Sequence, residues 1–384
     1  MRNICLLGAS GSIGKQTIDV LLKHRDDFKL LSFSVGYHTR CISSLIKRFP
    51  EVKSIYLIDK KKAQRYQNKY PHINFFYGEE MLFLINNDVD MVVNALVGFV
   101  GLKPTLYALE QNKIVCLANK EALVVGGELV NQLLEKGKGV LYPIDSEHSA
   151  IKKCLMVDNQ EVDKIVLTAS GGAFRDYNRE QLKNVTKDDA LKHPTWKMGQ
   201  KITIDCATMI NKAFEVIEAH YLFNYPYDKI GIKLHDESYV HSFVEYHNGL
   251  MRLDISKPDM RNPIKLALYE YQIPFDTKVV ESLDDLKGLH FHDFNPNRYP
   301  IVDLAKIVIE KKGGYGAVFN ASNEVAVRAF LNDEIPFLAI EEIVKECINK
   351  YQNEEINNYE QLAEIDQKTR QIALELVKKW RKQL

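Results

Sequence analysis

Gly8-Ala9-Ser10-Gly11-Ser12-Ile13-Gly14 follows the apolar run Ile4-Cys5-Leu6-Leu7 and opens a helical pattern over Ser12–Lys23. Strand, glycine-rich turn and helix in that order predict the first βαβ unit of a dinucleotide-binding fold. Glycine lets the backbone approach a pyrophosphate, and the free N–H groups of a helix start favour an anion. Taken alone, the same spacing also fits a plain tight turn. The next strand pattern ends at Ser34-Val35-Gly36-Tyr37-His38-Thr39-Arg40. An NAD site needs an Asp or Glu there for the ribose 2′-hydroxyl. None is present, whereas His38 and Arg40 suit a 2′-phosphate, so the pattern points to NADP(H). A solvated helix start is the plainer reading of those two residues.

Further strand patterns end near Leu57, Asn94, Leu117 and Tyr142, with helical patterns at Thr39–Phe49, Leu102–Gln111 and Gly127–Lys136. This alternation predicts an α/β domain over 1–144, a Rossmann-type, doubly wound parallel sheet. From Asp145 the pattern changes to that of a central α+β catalytic domain over 145–273. Its strand-like runs are Lys164–Ala169, Ile230–Leu234, Val240–Tyr246 and Met251–Asp254. The last three lie close together, as antiparallel neighbours would. Residues 171–200 are polar, with glycines at both ends, and read as a lid loop. A linker over 274–300 precedes a C-terminal helical domain over 301–384, with polar caps such as Asn320 and an amphipathic last helix.

Lys+Arg and Asp+Glu both number 51 in the 384 residues, so the formal net charge is zero. That removes the electrostatic case for nucleic acid or an anionic membrane as partner. The six cysteines are scattered without a C-x-x-C pair, as in a reduced cytoplasmic protein. No apolar run approaches a membrane span, and the chain enters its first strand without a signal-like segment.

Asp145-Ser146-Glu147 follows the apolar Val140-Leu141-Tyr142. Carboxylates two apart face one side of an extended segment, and the end of an α/β strand is where ligands bind. A plain helix N-cap fits the same residues equally well. In Asn211-Lys212-Ala213-Phe214-Glu215, Asn211 and Glu215 share a helix face, a pattern that in isolation reads as a surface helix and takes its weight from the family resemblance given below. Three carboxylates with neither Cys nor a paired His make a hard oxygen site, favouring Mg²⁺ or Mn²⁺ over Zn²⁺. Lys120, in Ala118-Asn119-Lys120-Glu121, also follows a strand end, where a surface Lys-Glu pair is the bland alternative. Leu167-Thr168-Ala169-Ser170-Gly171-Gly172 has the composition of a phosphate nest, or of an ordinary turn. His193 and Trp196 lie in the polar loop. A tryptophan there is expected to close over substrate or a neighbouring subunit.

Together these segments resemble the 1-deoxy-D-xylulose 5-phosphate reductoisomerase family along the whole chain. Further matching stretches are Asn94-Ala95-Leu96-Val97-Gly98, Pro258-Asp259-Met260-Arg261 and Asn320-Ala321-Ser322-Asn323-Glu324. The resemblance implies an NADPH- and metal-dependent rearrangement and reduction of 1-deoxy-D-xylulose 5-phosphate in the non-mevalonate isoprenoid route, by a homodimer. It implies Asp145, Glu147 and Glu215 as ligands of Mn²⁺, Mg²⁺ or Co²⁺, and Lys120, Glu147 and His193 as catalytic groups. Substrate contacts would include Ser146, Ser170, Trp196, Cys206, Asn211 and Lys212, with Trp196 and Met198 in a mobile lid. Nucleotide contacts would include Ser10, Ser12, Ile13, Gly36, Asn119, Glu121 and Gly199, besides the glycines of the first turn. Two departures stand out: Cys206 replaces a serine, and Asp236 after His235 replaces a proline. A thiol is a weaker donor than a hydroxyl. The competing expectations are a semialdehyde- or homoserine-type dehydrogenase, the former using Cys206 as nucleophile, and a non-catalytic NADPH sensor.

Overall fold

The computed structural model describes residues 1–156, 161–196, 198–272 and 283–382. Lys197 of the expected lid and residues 274–282 of the expected linker lie outside them. The chain begins β1 (Arg2–Leu7), α1 (Ser12–Lys23), β2 (Phe28–Val35), α2 (Ile42–Arg48), β3 (Ser54–Leu57), α3 (Lys60–Lys69) and β4 (Asn74–Phe76). It continues β5 (Met91–Asn94), α4 (Leu102–Glu110), β6 (Ile114–Leu117), α5 (Lys120–Glu135), β7 (Val140–Pro143), α6 (Ser146–Leu155) and β8 (Val162–Ala169). Then come α7 (Lys187–Ala190), α8 (Gln200–Thr208), α9 (Ile210–Phe223), β9 (Ile230–His235), β10 (Val240–Tyr246), β11 (Met251–Ile255) and α10 (Arg261–Leu268). The last elements are β12 (Phe291–Asp293), α11 (Leu304–Lys311), α12 (Tyr315–Leu331), α13 (Ala339–Lys350) and α14 (Tyr359–Arg381).

Two compact units result. The first comprises Met1–Asn119, Val130–Asp145 and Met260–Ile273, and the second Lys120–Leu129, Ser146–Asp259 and Pro274–Leu384. The first unit holds a parallel sheet of order β4-β3-β2-β1-β5-β6-β7. The chain builds outward from β1 to β4, then returns to place β5 on the other side of β1. Loops leaving β1 and β5 therefore diverge, and such a reversal leaves the crevice in which α/β proteins bind ligands. α1 forms as its sequence predicts, because Gly14, Thr17, Ile18 and Leu21 recur on one buried face. α3 and β4 escape the sequence patterns, since Lys-rich α3 buries only Ala63. α10 returns to the first unit and sets Ile264 and Ala267, both fully buried, into the core that contains Ile4 and Phe33. Tyr271 Oη then donates to the Pro143 carbonyl at 2.8 Å.

The second unit holds a sheet of order β11-β10-β8-β9-β12. The expectation that β9, β10 and β11 are antiparallel neighbours is only half met. β10 and β11 do pair antiparallel, but β8 lies between β9 and β10 and runs parallel to β9. The run Lys164–Ala169 is thus a central strand, buried over its last five residues. Asn320 is not a helix cap. It is fully buried inside α12, where its Nδ2 donates to Glu324 Oε1 at 3.0 Å. Asn358 does cap α14, accepting from the Gln361 N–H. α5 starts at Lys120 rather than Gly127, with Gly126 as a non-helical joint inside it.

Gly316 of α12 packs against α5 with no room for a side chain, since a Cβ there would lie 1.8 Å from the Val124 carbonyl oxygen. Gly316→Ala is expected to destabilise the second unit by about 3 kcal/mol. Thermal and denaturant unfolding measure this, and an unchanged midpoint would contradict the packing described.

Candidate active site

In the first unit, the turn after β1 is shaped by glycine where nothing else fits. Gly8 has φ +88°, and a Cβ on it would lie 2.5 Å from the Ala95 carbonyl oxygen. A Cβ on Gly14 would lie 2.2 Å from the Gly8 carbonyl oxygen. The turn is pinned from β2, whose Ser34 Oγ accepts from the Gly8 N–H at 2.8 Å. α1 has Gly11 at its N-cap and no side-chain cap bond. Ser12, Ile13 and Gly14 therefore present the amide array that suits a phosphate. Gly36, His38 and Arg40 fall in the loop between β2 and α2, with His38 and Arg40 exposed. Asn119, also assigned to the nucleotide, is fully buried and donates to the Leu96 and Gly98 carbonyls at 3.1 and 3.0 Å. Its described bonds shape the loop after β5.

In the second unit, the first turns of α5 and α9 bring their charges together. Lys120 Nζ donates to Asn211 Oδ1 at 2.7 Å and to Glu215 Oε1 at 3.1 Å. Asn211 Nδ2 donates to the same Glu215 oxygen at 2.5 Å, as the shared helix face predicts. Lys212 forms an ion pair with Glu215 Oε2 and also reaches the Thr168 carbonyl at the end of β8. Glu215 is only 2% exposed. Removing one partner from so buried a pair costs roughly 3–5 kcal/mol. Asp145 and Glu147 do not lie on one extended segment, because α6 begins at Ser146 and carries Glu147 in its first turn. One oxygen from each of Asp145, Glu147 and Glu215 nevertheless lies within 4.8 Å of the others. Asp145, His148 and Glu218 form a second such group. In it, His148 Nε2 lies 2.9 Å from the Glu215 carbonyl oxygen and Nδ1 lies 3.5 Å from Glu218. Ser146 Oγ donates to Glu147 Oε2 at 2.7 Å.

β8 ends in Ser170, Gly171 and Gly172, and both glycines have positive φ, at +77° and +68°. A Cβ on Gly172 would meet the Cys206 carbonyl oxygen at 2.6 Å, so the nest lies directly on α8. Ser170 Oγ is 3.1 Å from His193 Nε2. His193 Nδ1 accepts from the N–H groups of Thr195 and Trp196. A ring that accepts at Nδ1 carries its proton at Nε2, so His193 offers an N–H toward Ser170. Burial pushes the His193 pKa down to about 4, which keeps the ring neutral near pH 7. The expected lid divides in two. Its first part is anchored: Arg179 pairs with Glu341, Lys187 with Asp333, and Arg298 donates to the carbonyls of Phe174 and Tyr177. The stretch after α7, with half-buried His193, Trp196 and Met198 and exposed Gly199, is the less embedded part. Asp236 in place of proline is engaged structurally, 2.9 Å from Arg175 Nη1 and 3.2 Å from His292.

Burial, and next the nearby Glu215, push the Cys206 thiol up to about 12. A thiol so protonated is no nucleophile. Lys201, unassigned by sequence, reaches the first turn of α5 through Glu121, at 3.0 Å. Burial alone would raise the Glu121 pKa, but Lys201 outweighs it and holds the carboxyl below its ordinary value. The Lys201–Asp205 spacing of four was the available signal, and it reads as an ordinary surface pair.

Three models of 1-deoxy-D-xylulose 5-phosphate reductoisomerase domains match the chain. The model named for the family matches residues 4–127, and two C-terminal-domain models match 141–223 and 255–372. Relatives bearing that name include one from Bacillus cereus (strain AH187), 43% identical over 98% of this chain and 100% of its own length. Another from Bacillus subtilis (strain 168) is 44% identical over 96% and 98%. A crystal structure of DOX-P reductoisomerase with NADPH, fosmidomycin and magnesium has TM-score 0.91 and 32% identity, covering 98% of both chains. The reductoisomerase from Zymomonas mobilis with NADPH has TM-score 0.89 and 33% identity, covering 98% of this chain and 99% of that one.

Cys206→Ser is expected to keep kcat and to retain or improve substrate affinity, by at most about 1 kcal/mol, the net worth of one hydrogen bond. Steady-state kinetics measure it. Loss of nearly all kcat in a folded variant would restore the nucleophile reading.

Proposed function

The chain belongs to the 1-deoxy-D-xylulose 5-phosphate reductoisomerase family, and we propose that Asp145, Glu147 and Glu215 hold its metal while the turn after β1 holds its nucleotide. The enzyme rearranges and reduces 1-deoxy-D-xylulose 5-phosphate to 2-C-methyl-D-erythritol 4-phosphate with NADPH and a divalent cation. The observation that carries the site assignment is the close set of carboxylate oxygens, a donor chemistry that fits a hard cation such as Mg²⁺, Mn²⁺ or Co²⁺. The set with Glu147 is favoured over the set with His148. His148 is fully buried and tied to the Glu215 carbonyl, whereas Glu147 is partly open to an arriving substrate. The uncapped amides of α1 and the side-chain-free approach at Gly8 and Gly14 fit a pyrophosphate in the same way.

When bound, the metal polarises neighbouring ketone and hydroxyl oxygens, and NADPH supplies the hydride. The residues of the chain do the rest. Lys120 places an ammonium beside Glu215 and Asn211, where it stabilises negative charge developing on substrate oxygen. Ser170, the glycine nest, Lys212 and the Nε2–H of His193 make a phosphate cradle, with Asn211 and Cys206 beside it. Trp196 and Met198 cover the reacting groups and keep water out. Glu121 and Gly199 border the nicotinamide end, and His38 and Arg40 meet the 2′-phosphate. The open edge of β11, with Met251 and Leu253 exposed, supports a homodimer. Free cysteines support a cytoplasmic setting. No helix among the described residues is long and apolar enough to cross a membrane.

Glu215→Gln is expected to lower kcat by at least about 100-fold while NADPH still binds, because the variant loses a charged ligand and unbalances two lysines. Full activity of the wild-type enzyme in excess chelator would refute the metal assignment. NADPH is expected to be preferred over NADH by about 1–3 kcal/mol, the scale of charge-assisted contacts. His38→Ala with Arg40→Ala should erase most of that preference, and equal kcat/KM for both cofactors in the wild type would refute it.

A further inference from the structure

The motif Asn320-Ala321-Ser322-Asn323-Glu324 has no part in the site described above, yet it meets that site through one lysine. Lys201 Nζ lies 3.0 Å from Glu121 Oε1 and 2.7 Å from Asp205 Oδ2. Asp205 Oδ1 accepts from Asn323 Nδ2 at 2.9 Å. Lys201 also sits 5.6 Å from the centroid of the Phe214 ring. That ring is itself wedged edge-on against Phe319, with centroids 4.9 Å apart. Glu121, Asp205, Phe214 and Asn323 are all buried.

The three residues that Lys201 touches are chain neighbours of three residues of the proposed site. Glu121 follows Lys120 at the start of α5, Asp205 precedes Cys206 in α8, and Phe214 precedes Glu215 in α9. A single ammonium therefore spans every helix of the second unit that carries a lysine, thiol or acid of the proposed site, apart from α6. Asn323 holds the far side of Asp205 from α12, and its own Oδ1 is buried with no hydrogen-bond partner. An orphaned oxygen of that kind costs free energy, so an amide here is not what stability alone would select. An apolar residue would remove the orphan but would leave Asp205 Oδ1 without its donor.

We propose that Lys201 is a positioning residue for the reaction, fixing Lys120, Cys206 and Glu215 relative to one another, with Asn323 as its outer anchor through Asp205. The inference rests on the site reading given above. Misplacement of reacting groups by about 1 Å can cost roughly 100-fold in rate, whereas ground-state binding of the cofactor depends little on it.

The test is Lys201→Met combined with Asp205→Asn. Glu121, Asp205 and Lys201 carry a formal net charge of −1, and so does Glu121 alone in the double variant, so the tie is cut without changing the charge count. kcat per folded enzyme, counted by NADPH-binding stoichiometry, is expected to fall roughly 10- to 100-fold. The KM for NADPH should stay at its wild-type value, and any fall in the thermal midpoint reflects buried Glu121 left without its lysine. Wild-type kcat in the double variant, with Glu215→Gln inactive, would overturn the positioning role and leave the site reading standing. Wild-type kcat in both would overturn the site reading and the inference with it. A loss of total activity that disappears once counted per folded enzyme would show Lys201 to be structural only and would also overturn the proposal.

Discussion

A carboxylate as deeply buried as Glu215 is tolerable only because an ammonium group stands on each side of it, Lys120 on Oε1 and Lys212 on Oε2. Two charges removed from water must compensate one another closely, or the fold loses several kcal/mol. That requirement dictates local architecture. The start of α5 must face the start of α9, and α9 must place Asn211, Lys212 and Glu215 within one turn. Lys212 is further fixed by the Thr168 carbonyl, so β8 must end beside α9. Once β8 ends there, Ser170 and the two left-handed glycines fall against α8, and His193 can reach Ser170. The proposed phosphate cradle is thus built outward from one ion-pair cluster.

Electrostatic balance also separates the candidate activities. A sensor would have no need to maintain a buried acid between two lysines. A thiol-dependent dehydrogenase would need a cysteine with thiolate character, and the same acidic cluster, together with burial, drives Cys206 the other way. His193 follows similar logic with the opposite charge type. Burial disfavours its cation, and two backbone donors fix its tautomer, leaving a neutral donor where an imidazolium would not survive.

The sequence was most readable where a backbone constraint and a periodicity coincide. Gly8, Gly11 and Gly14 mark both the end of β1 and the start of α1, and each boundary falls where the pattern puts it. β10 also falls where its strand-like run Val240–Tyr246 puts it. Legibility fails where tertiary neighbours decide. β9 and β10 are near in sequence, but β8 separates them, because a central strand, parallel to one neighbour and antiparallel to the other, leaves no local signal of its partners. Asn320 resembles a cap because Asn favours caps, and only packing reveals it as buried. Asp145 and Glu147 carried equal weight as extended or helix-start residues until α6 proved to begin at Ser146. Lys201 and Asp205 look like a solvated pair, and nothing in a single sequence says that Asn323, more than a hundred residues away, completes them.

The first unit is assembled from stretches that end at Asn119, Asp145 and Ile273. Its core includes Ile264, Leu266, Ala267 and Leu268, which the ribosome adds only after almost all of the α+β region has been made. Until those residues are made, the core around the seven-stranded sheet lacks part of its packing. The core of the first unit cannot be completed by its N-terminal stretch alone. The discontinuity ties completion of the first unit's core to synthesis of the chain through Leu268, past the strands of the second unit's sheet up to β11.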